Sequence, residues 1–204
     1  MVRRAVFLDR DGVLVDAVVR DGAAYAAQTT EEFRVAPDAA QQVARLRAAG
    51  LVCIAVTNQP EVARGALRPE ALEAMHRALR AAVPLDDLYV CPHDDRDECA
   101  CRKPRPGMLR EAAARWGVSL ADSFMIGDRW RDVEAGRAAG CYTILLERPY
   151  SACTVADARV ETLSEAVDLV LGRVPRGDRA DFRPGPVDRR GSAREPTPPA
   201  EQSP

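Results

Sequence analysis

The chain lacks a long apolar run. Spanning a membrane takes roughly 20 consecutive apolar residues, and no segment comes near that. The start, Met1-Val2-Arg3-Arg4, leads into the short apolar run Ala5–Leu8 before Asp9 interrupts it. A signal peptide needs roughly 7–15 apolar residues, so the expected location is the cytoplasm. An excess of one charge is lacking too. The 29 basic residues nearly balance 31 acidic ones, which gives no cause to expect nucleic acid or a membrane as partner. There is no internal repeat. Nor does the chain need disulfide staples: 204 residues can bury a core unaided, and the length suits one domain. The expected molecule is a cytoplasmic monomer.

What is present is punctuated by polar residues at the ends of apolar runs. Ala5–Leu8 reads as a buried strand ending at Asp9. Residues 12–30 show no steady period and read as a loop with extended pieces. Pro37 and Asp38 open a helix with Val43 and Leu46 on its apolar face, and Gly50 stops it. Leu51–Val56 is a second buried strand, ending at Thr57-Asn58-Gln59. A helix from Pro69 carries Leu72, Met75, Leu79 and Ala82 at helical spacing, and Pro84 ends it. Asp87–Val90 is a brief strand. Pro106 opens a helix with Leu109, Ala113 and Trp116 on one face. Ser123–Ile126 is a strand ending at Gly127-Asp128, Arg131–Ala139 a helix, and Tyr142–Leu146 a strand. Ser164 is expected to cap a last helix to about Leu171.

Alternating strands and helices predict βαβ units and a parallel sheet, a three-layer Rossmann-like α/β fold. Between Asp11 and Thr57 there is room for one helix and a short irregular stretch, so no large cap domain is expected. Residues 1–172 form the predicted domain. From Arg173 to Pro204 the chain is rich in Pro, Arg, Gly and Asp and poor in large apolar residues. Such a segment buries too little to offset its ordering entropy, and it reads as a disordered tail.

The polar residues at the strand ends carry the chemistry. In open α/β sheets ligands bind beyond the carboxyl ends of the strands, which makes Asp9, Thr57 and Asp128 converge. Phe7-Leu8-Asp9-Arg10-Asp11-Gly12 sets two carboxylates two residues apart after a strand. One can attack phosphorus and the other can serve the leaving group. An ordinary turn with surface carboxylates is the plainer alternative. Asp128, with Asp132 four residues on, suits Mg²⁺, which prefers oxygen ligands. Asp9, a backbone carbonyl near Asp11, and Asp128 supply three positions. A simple helix cap at Asp128 would look the same in sequence. Thr57, nearby backbone amides and Lys103 can stabilise charge on a phosphoryl group in transit, although an isolated lysine is usually a solvated one.

Of six cysteines, Cys91, Cys99 and Cys101 crowd into one stretch with His93, while Cys53, Cys141 and Cys153 are scattered. In a reducing compartment such clustering favours metal over disulfides. Three thiolates and one imidazole make a closed tetrahedral set suited to structural Zn²⁺. A closed set leaves no position for water, so the metal's expected role is to hold the loop that delivers Arg102 and Lys103. A reduced, metal-free loop or a labile disulfide are the alternatives.

Taken in order, these motifs resemble the haloacid dehalogenase superfamily of phosphotransferases over roughly Val6 to Leu146. The resemblance implies that Asp9 forms an aspartyl-phosphate and that Asp11 is the acid/base. It matches Thr57 to the motif-two hydroxyl and Lys103 to the motif-three lysine. Asp128 matches the metal-binding acid and Asp132 its supporting neighbour, with Mg²⁺ held by Asp9, Asp11 and Asp128. The zinc loop is similar to those of two phosphatase families, one acting on heptose bisphosphate and one on histidinol phosphate. Thr57-Asn58-Gln59, Ala63-Arg64-Gly65 and Arg102-Lys103-Pro104-Arg105-Pro106-Gly107 resemble the heptose family. That implies a phosphorylated sugar as substrate, met by Arg102 and Arg129, with Asn58, Gln59 and Arg64 beside them. Four features depart from that family: Pro60-Glu61 follows Gln59; only five residues separate His93 from Cys99, as in the histidinol-phosphate enzymes; Arg129 stands where many heptose enzymes have lysine; and Val13–Tyr25 matches the family's substrate loop poorly. A non-catalytic phosphate-binding zinc protein is the rival of another class, whose mark would be loss of Asp9 or Asp11.

Overall fold

A computed structural model describes residues 2–175. Six parallel strands form one sheet in the order β5-β4-β1-β6-β7-β8. These are β1 (Ala5–Leu8), β4 (Val52–Asn58), β5 (Asp87–Cys91), β6 (Phe124–Gly127), β7 (Tyr142–Leu146) and β8 (Ala158–Val160). A separate antiparallel hairpin, β2 (Val18–Arg20) and β3 (Ala23–Tyr25), projects from the segment after β1. The helices are α1 (Ala39–Ala48), α2 (Pro69–Ala82), α3 (Gly107–Trp116), α4 (Trp130–Ala139) and α5 (Leu163–Arg173).

Strand side chains alternate between two cores, and both faces are apolar because helices cover both. On β1, Val6 and Leu8 join the core that holds Val43, Leu46 and Val167. Ala5 and Phe7 face the other core, with Leu109 and Ala135. Phe7 is fully buried, and truncating such a side chain to Ala costs about 3–5 kcal/mol. Helix α2 follows its sequence pattern: Pro69 stands in its first turn, and Leu72, Met75 and Leu79 are buried.

Topology then positions the site. Strand β1 lies between β4 and β6, so the chain departs to opposite sides of β1 and leaves a crevice at its carboxyl end. Asp9, Thr57 and Asp128 stand at the ends of those three adjacent strands. Among the described residues, the segment between β1 and β4 holds the small β2–β3 hairpin and α1, and the hairpin's Ala24 and Tyr25 line the cavity beside them.

Several sequence expectations need correction. The last helix is capped by the Thr162 hydroxyl, which accepts from the Glu165 amide at 3.1 Å; Ser164 lies inside the helix. That helix includes Arg173, whose guanidinium stacks on the Tyr142 ring at 4.1 Å, and Val174 is buried. The remainder of the expected tail, residues 176–204, lies outside the described residues. Strand β8 carried no sequence signal, being a three-residue edge strand that pairs only with β7.

Candidate active site

Two glycines let the strand ends close on one another. Gly12 has φ +89°, and a Cβ there would fall 2.1 Å from Asp128 Oδ2. Gly127 abuts Asp132, whose Cβ would lie 2.1 Å from any side chain at that position. Only glycine permits either approach.

At the centre is Lys103, which is 2% exposed. Its ammonium donates to Asp9 Oδ1 at 2.7 Å and to the Val56 carbonyl at 2.8 Å, and pairs with Asp132 Oδ1 at 2.6 Å. Burial pulls its pKa down, but Asp132 and Asp9 more than offset this and hold it above the usual range. Lys103 is the only lysine among the chain's 29 basic residues. That rarity was a sequence signal in its own right: the one ammonium retained sits between two buried carboxylates.

Asp9 also accepts from the Arg10 amide at 2.8 Å. Burial, then the charge of Asp132, lifts its carboxyl to about 6 against the pull of Lys103. Asp128 is fully buried, with the Tyr150 hydroxyl beside its carboxylate. Burial first, then Asp9 and Asp132, raises it to about 8. One hydroxyl leaves a buried carboxylate short of partners, which is costly unless something outside the chain satisfies it. Ligand oxygens of Asp9, Asp128 and Asp132 lie within 4.8 Å of one another. Lys103 takes Oδ1 of both Asp9 and Asp132, and Asp132 spends its Oδ2 on the Arg129 amide at 3.0 Å, so Asp9 Oδ2 and the Asp128 carboxylate are the oxygens left for a hard cation. Asp11 lines the cavity, and Arg10 grips both oxygens of its side chain, at 3.0 and 2.9 Å. A contribution from Asp11 to the cation falls to its backbone, the form in which the sequence reading had it.

Thr57 is buried at the end of β4, and its Oγ1 accepts from Gln59 Nε2 at 2.8 Å. Gln59 also donates to Asp11 Oδ2 at 2.8 Å. It is completely buried, is not among the residues lining the cavity, and ties two motifs together. Asn58 lines the cavity. Its amide is spent on the Lys103 backbone, donating to the carbonyl at 2.9 Å and accepting from the N–H at 3.1 Å. These two bonds tie the end of β4 to the segment carrying Lys103.

A cavity of about 230 Å³ opens over Asp9 and Lys103, walled by Arg64, Arg102, Arg129 and Arg131. Each arginine has a partner. Arg64 forks onto Asp94 at 2.9 and 2.8 Å, and Arg102 donates to Asp95 at 2.8 Å. Arg129 donates to the Ala24 carbonyl at 2.8 Å, pinning the hairpin. Arg131, 3.5 Å from Asp95, was not foreseen; no sequence signal separates it from the other arginines.

The cysteine cluster forms as expected beside this wall. Sulfurs of Cys91 and Cys101 lie 3.5 and 3.3 Å from that of Cys99, and His93 Nδ1 lies 3.6 and 3.4 Å from Cys91 and Cys101. Two thiolates bonded to one Zn²⁺ at about 2.3 Å in a tetrahedron stand about 3.8 Å apart. The four ligand atoms therefore fit a tetrahedral ion with little adjustment.

Comparisons with known proteins agree with this geometry. A family model described as HAD-hydrolase-like matches residues 100–159. A Pseudomonas aeruginosa protein named D-glycero-beta-D-manno-heptose-1,7-bisphosphate 7-phosphatase is 38% identical over 152 residues, 72% of this chain and 83% of its own. A Thermosynechococcus vestitus protein named D-glycero-D-manno-heptose-1,7-bisphosphate 7-phosphatase is 35% identical over 195 residues, 83% of this chain and 96% of its own. The crystal structure of a D,D-heptose 1,7-bisphosphate phosphatase from B. bronchiseptica, complexed with magnesium and phosphate, superposes with a TM-score of 0.71 at 32% identity, covering 83% of this chain and 98% of that one. Relatives this similar over most of their length, with the same fold, settle the family: this chain belongs to the haloacid dehalogenase-like hydrolases, among the heptose-1,7-bisphosphate 7-phosphatases.

Proposed function

We propose that the chain is a magnesium-dependent phosphatase that takes the C7 phosphate from D-glycero-D-manno-heptose 1,7-bisphosphate through an aspartyl-phosphate on Asp9. The observation that carries the reading is the Lys103 ammonium, 2.7 Å from Asp9 Oδ1 on the floor of an arginine-walled cavity. An Asp9 oxygen attacks phosphorus while Asp11 protonates the departing sugar oxygen. Water then attacks the aspartyl-phosphate and gives its proton to Asp11, which restores Asp9 and releases phosphate. Lys103 and the Thr57 hydroxyl hold the charge of the transferring phosphoryl oxygens. Mg²⁺ bound by Asp9, Asp128 and the Asp11 backbone supplies charge neutralisation at the phosphate. Zn²⁺ held by Cys91, His93, Cys99 and Cys101 fixes the loop that bears Arg102 and Lys103.

The remote phosphate of the substrate is met by Arg102 and Arg129, with Arg64 and Arg131 nearby. Guanidinium groups bind phosphate oxygens in pairs, and remote binding energy aligns the reacting end. The short zinc loop favours histidinol phosphate as a second reading. That substrate has no second phosphate and carries a cationic amine, a poor match for four arginines. The test compares kcat/KM for the heptose bisphosphate and for histidinol phosphate under identical magnesium and pH. We expect the bisphosphate to lead by about 10- to 1000-fold, roughly 1.4 kcal/mol per tenfold. A lead for histidinol phosphate overturns the substrate assignment.

A further inference from the structure

Beneath the catalytic pair lies a completely buried arginine. Arg10 sits between Asp9 and Asp11 with 0% exposure. Its Nε and Nη2 donate to the two oxygens of Asp11 at 3.0 and 2.9 Å. On its far side Nη1 lies 3.0 Å from Nε2 of His76, and the Phe33 ring lies 5.5 Å from the guanidinium carbon. His76 stands in the middle of α2 and is 1% exposed. It is one of only two histidines in the chain, and the other belongs to the cysteine cluster.

An arginine has no acceptor, so His76 Nε2 must accept and its proton must reside on Nδ1. Burial, then the charges of Arg10 and Arg80, pushes the imidazole down to about 2, so the ring is neutral and stays an acceptor. A buried guanidinium that lost this acceptor would be free to tilt toward another partner. Its fork fixes the plane of the Asp11 carboxylate, and Gln59 adds a third donor to Asp11 at 2.8 Å.

We infer that His76 is a positioning residue, which orients the acid/base carboxylate of Asp11 from helix α2 by holding the guanidinium of Arg10. The inference rests on the reading of Asp11 as the acid/base. It assigns α2, which contributes nothing to the cavity wall, a share in the proton transfer.

Proton donation matters most when the leaving group is a poor one. A sugar alkoxide needs the proton as the P–O bond breaks, whereas p-nitrophenolate leaves without it. General acid–base catalysis contributes roughly 10²–10⁴-fold, so a misaimed Asp11 forfeits part of that on sugar phosphates only. The experiment measures kcat/KM of wild type, Asp11→Asn, His76→Leu, His76→Gln and Arg10→Lys on the heptose bisphosphate and on p-nitrophenyl phosphate. Melting temperatures are recorded alongside. Asp11→Asn defines the signature of a lost acid. His76→Leu should show the same signature at smaller size: about 10- to 100-fold lower on the sugar phosphate and less than about threefold on the aryl phosphate. His76→Gln restores an oxygen acceptor facing Arg10 and should return the sugar phosphate rate to within about threefold of wild type. Arg10→Lys keeps the charge but loses the fork, and it should reproduce the His76→Leu pattern if that variant does not fold. Equal losses on both substrates in the folded variants overturn the positioning role and leave the proposed function intact. Full sugar phosphate activity in His76→Leu overturns it too. A wild type inactive on both substrates overturns the underlying reading and this inference with it.

Discussion

The molecule holds two clusters of potential metal ligands that lie close together yet follow opposite rules. At the ends of β1 and β6, the carboxylates of Asp9, Asp128 and Asp132 are buried together, and the Lys103 ammonium pairs with two of the three. At the end of β5 and in the loop after it, the ligand atoms of Cys91, His93, Cys99 and Cys101 lie within 4.8 Å of one another, one for each corner of a tetrahedral ion. The first arrangement is electrostatically unfinished: it needs a cation and leaves coordination positions for substrate. The second is complete once its ion is present. Incomplete satisfaction marks the place where chemistry is done, and complete satisfaction marks the place where shape is held.

The sharpest way to break this contrast is at Asp9. Asp9→Asn should lower turnover by more than about 10⁴-fold while leaving the melting temperature close to that of wild type, because an amide cannot attack phosphorus. Near-normal phosphate release from purified variant protein would remove Asp9 from the mechanism. The thiolate cluster should fail in the other sense. Cys101→Ser should cost about 3 kcal/mol, a fall in melting temperature of roughly 6–12 °C for a chain of this size. Elemental analysis of protein purified without chelators should give about one zinc per chain, and none in the variant. A wild type without zinc refutes the assignment.

A subtler difference lies in protons. Burial raises Asp128 to about 8 and Asp9 to about 6, so below these values a proton competes with Mg²⁺ for the same oxygens. Affinity for Mg²⁺ should therefore fall as pH drops from about 8 to about 6, by about tenfold per unit while one proton is displaced. Calorimetric titration at the two ends of that range measures it, and equal affinities would mean the carboxylates are already ionised without the cation. The smallest effect belongs to residues 176–204. Their composition is too poor in large apolar groups to build a core, so deleting them should leave kcat within about twofold and the melting temperature unchanged. A large loss of either would show that the segment docks on the domain.

Much of the site was legible because its residues lie where local patterns break. An apolar run that stops at Asp9, at Thr57 or at Gly127-Asp128 announces a strand end, and strand ends are where α/β sheets bind ligands. The cysteine cluster was legible from spacing alone, since its four ligands fall within a short stretch from Cys91 to Cys101. The hydrogen bonds of Asn58 and Gln59 were not legible, for the opposite reason. Both amides sit beside Thr57 in sequence, and nothing local reveals that one faces the Lys103 backbone and the other the Asp11 carboxylate.

By itself, then, the sequence determined the elements, their parallel arrangement, and which residue types could do phosphoryl chemistry or hold a metal. These follow from side-chain period, turn residues and ligand chemistry, which act over a few residues. Only the tertiary structure decided the pairings. Lys103 reaches Asp9 across 94 residues of chain, and His76 reaches Arg10 across 66. A hydrogen bond depends on positions to within a few tenths of an ångström, and those are set by how strands and helices pack around the two cores, which no local pattern records.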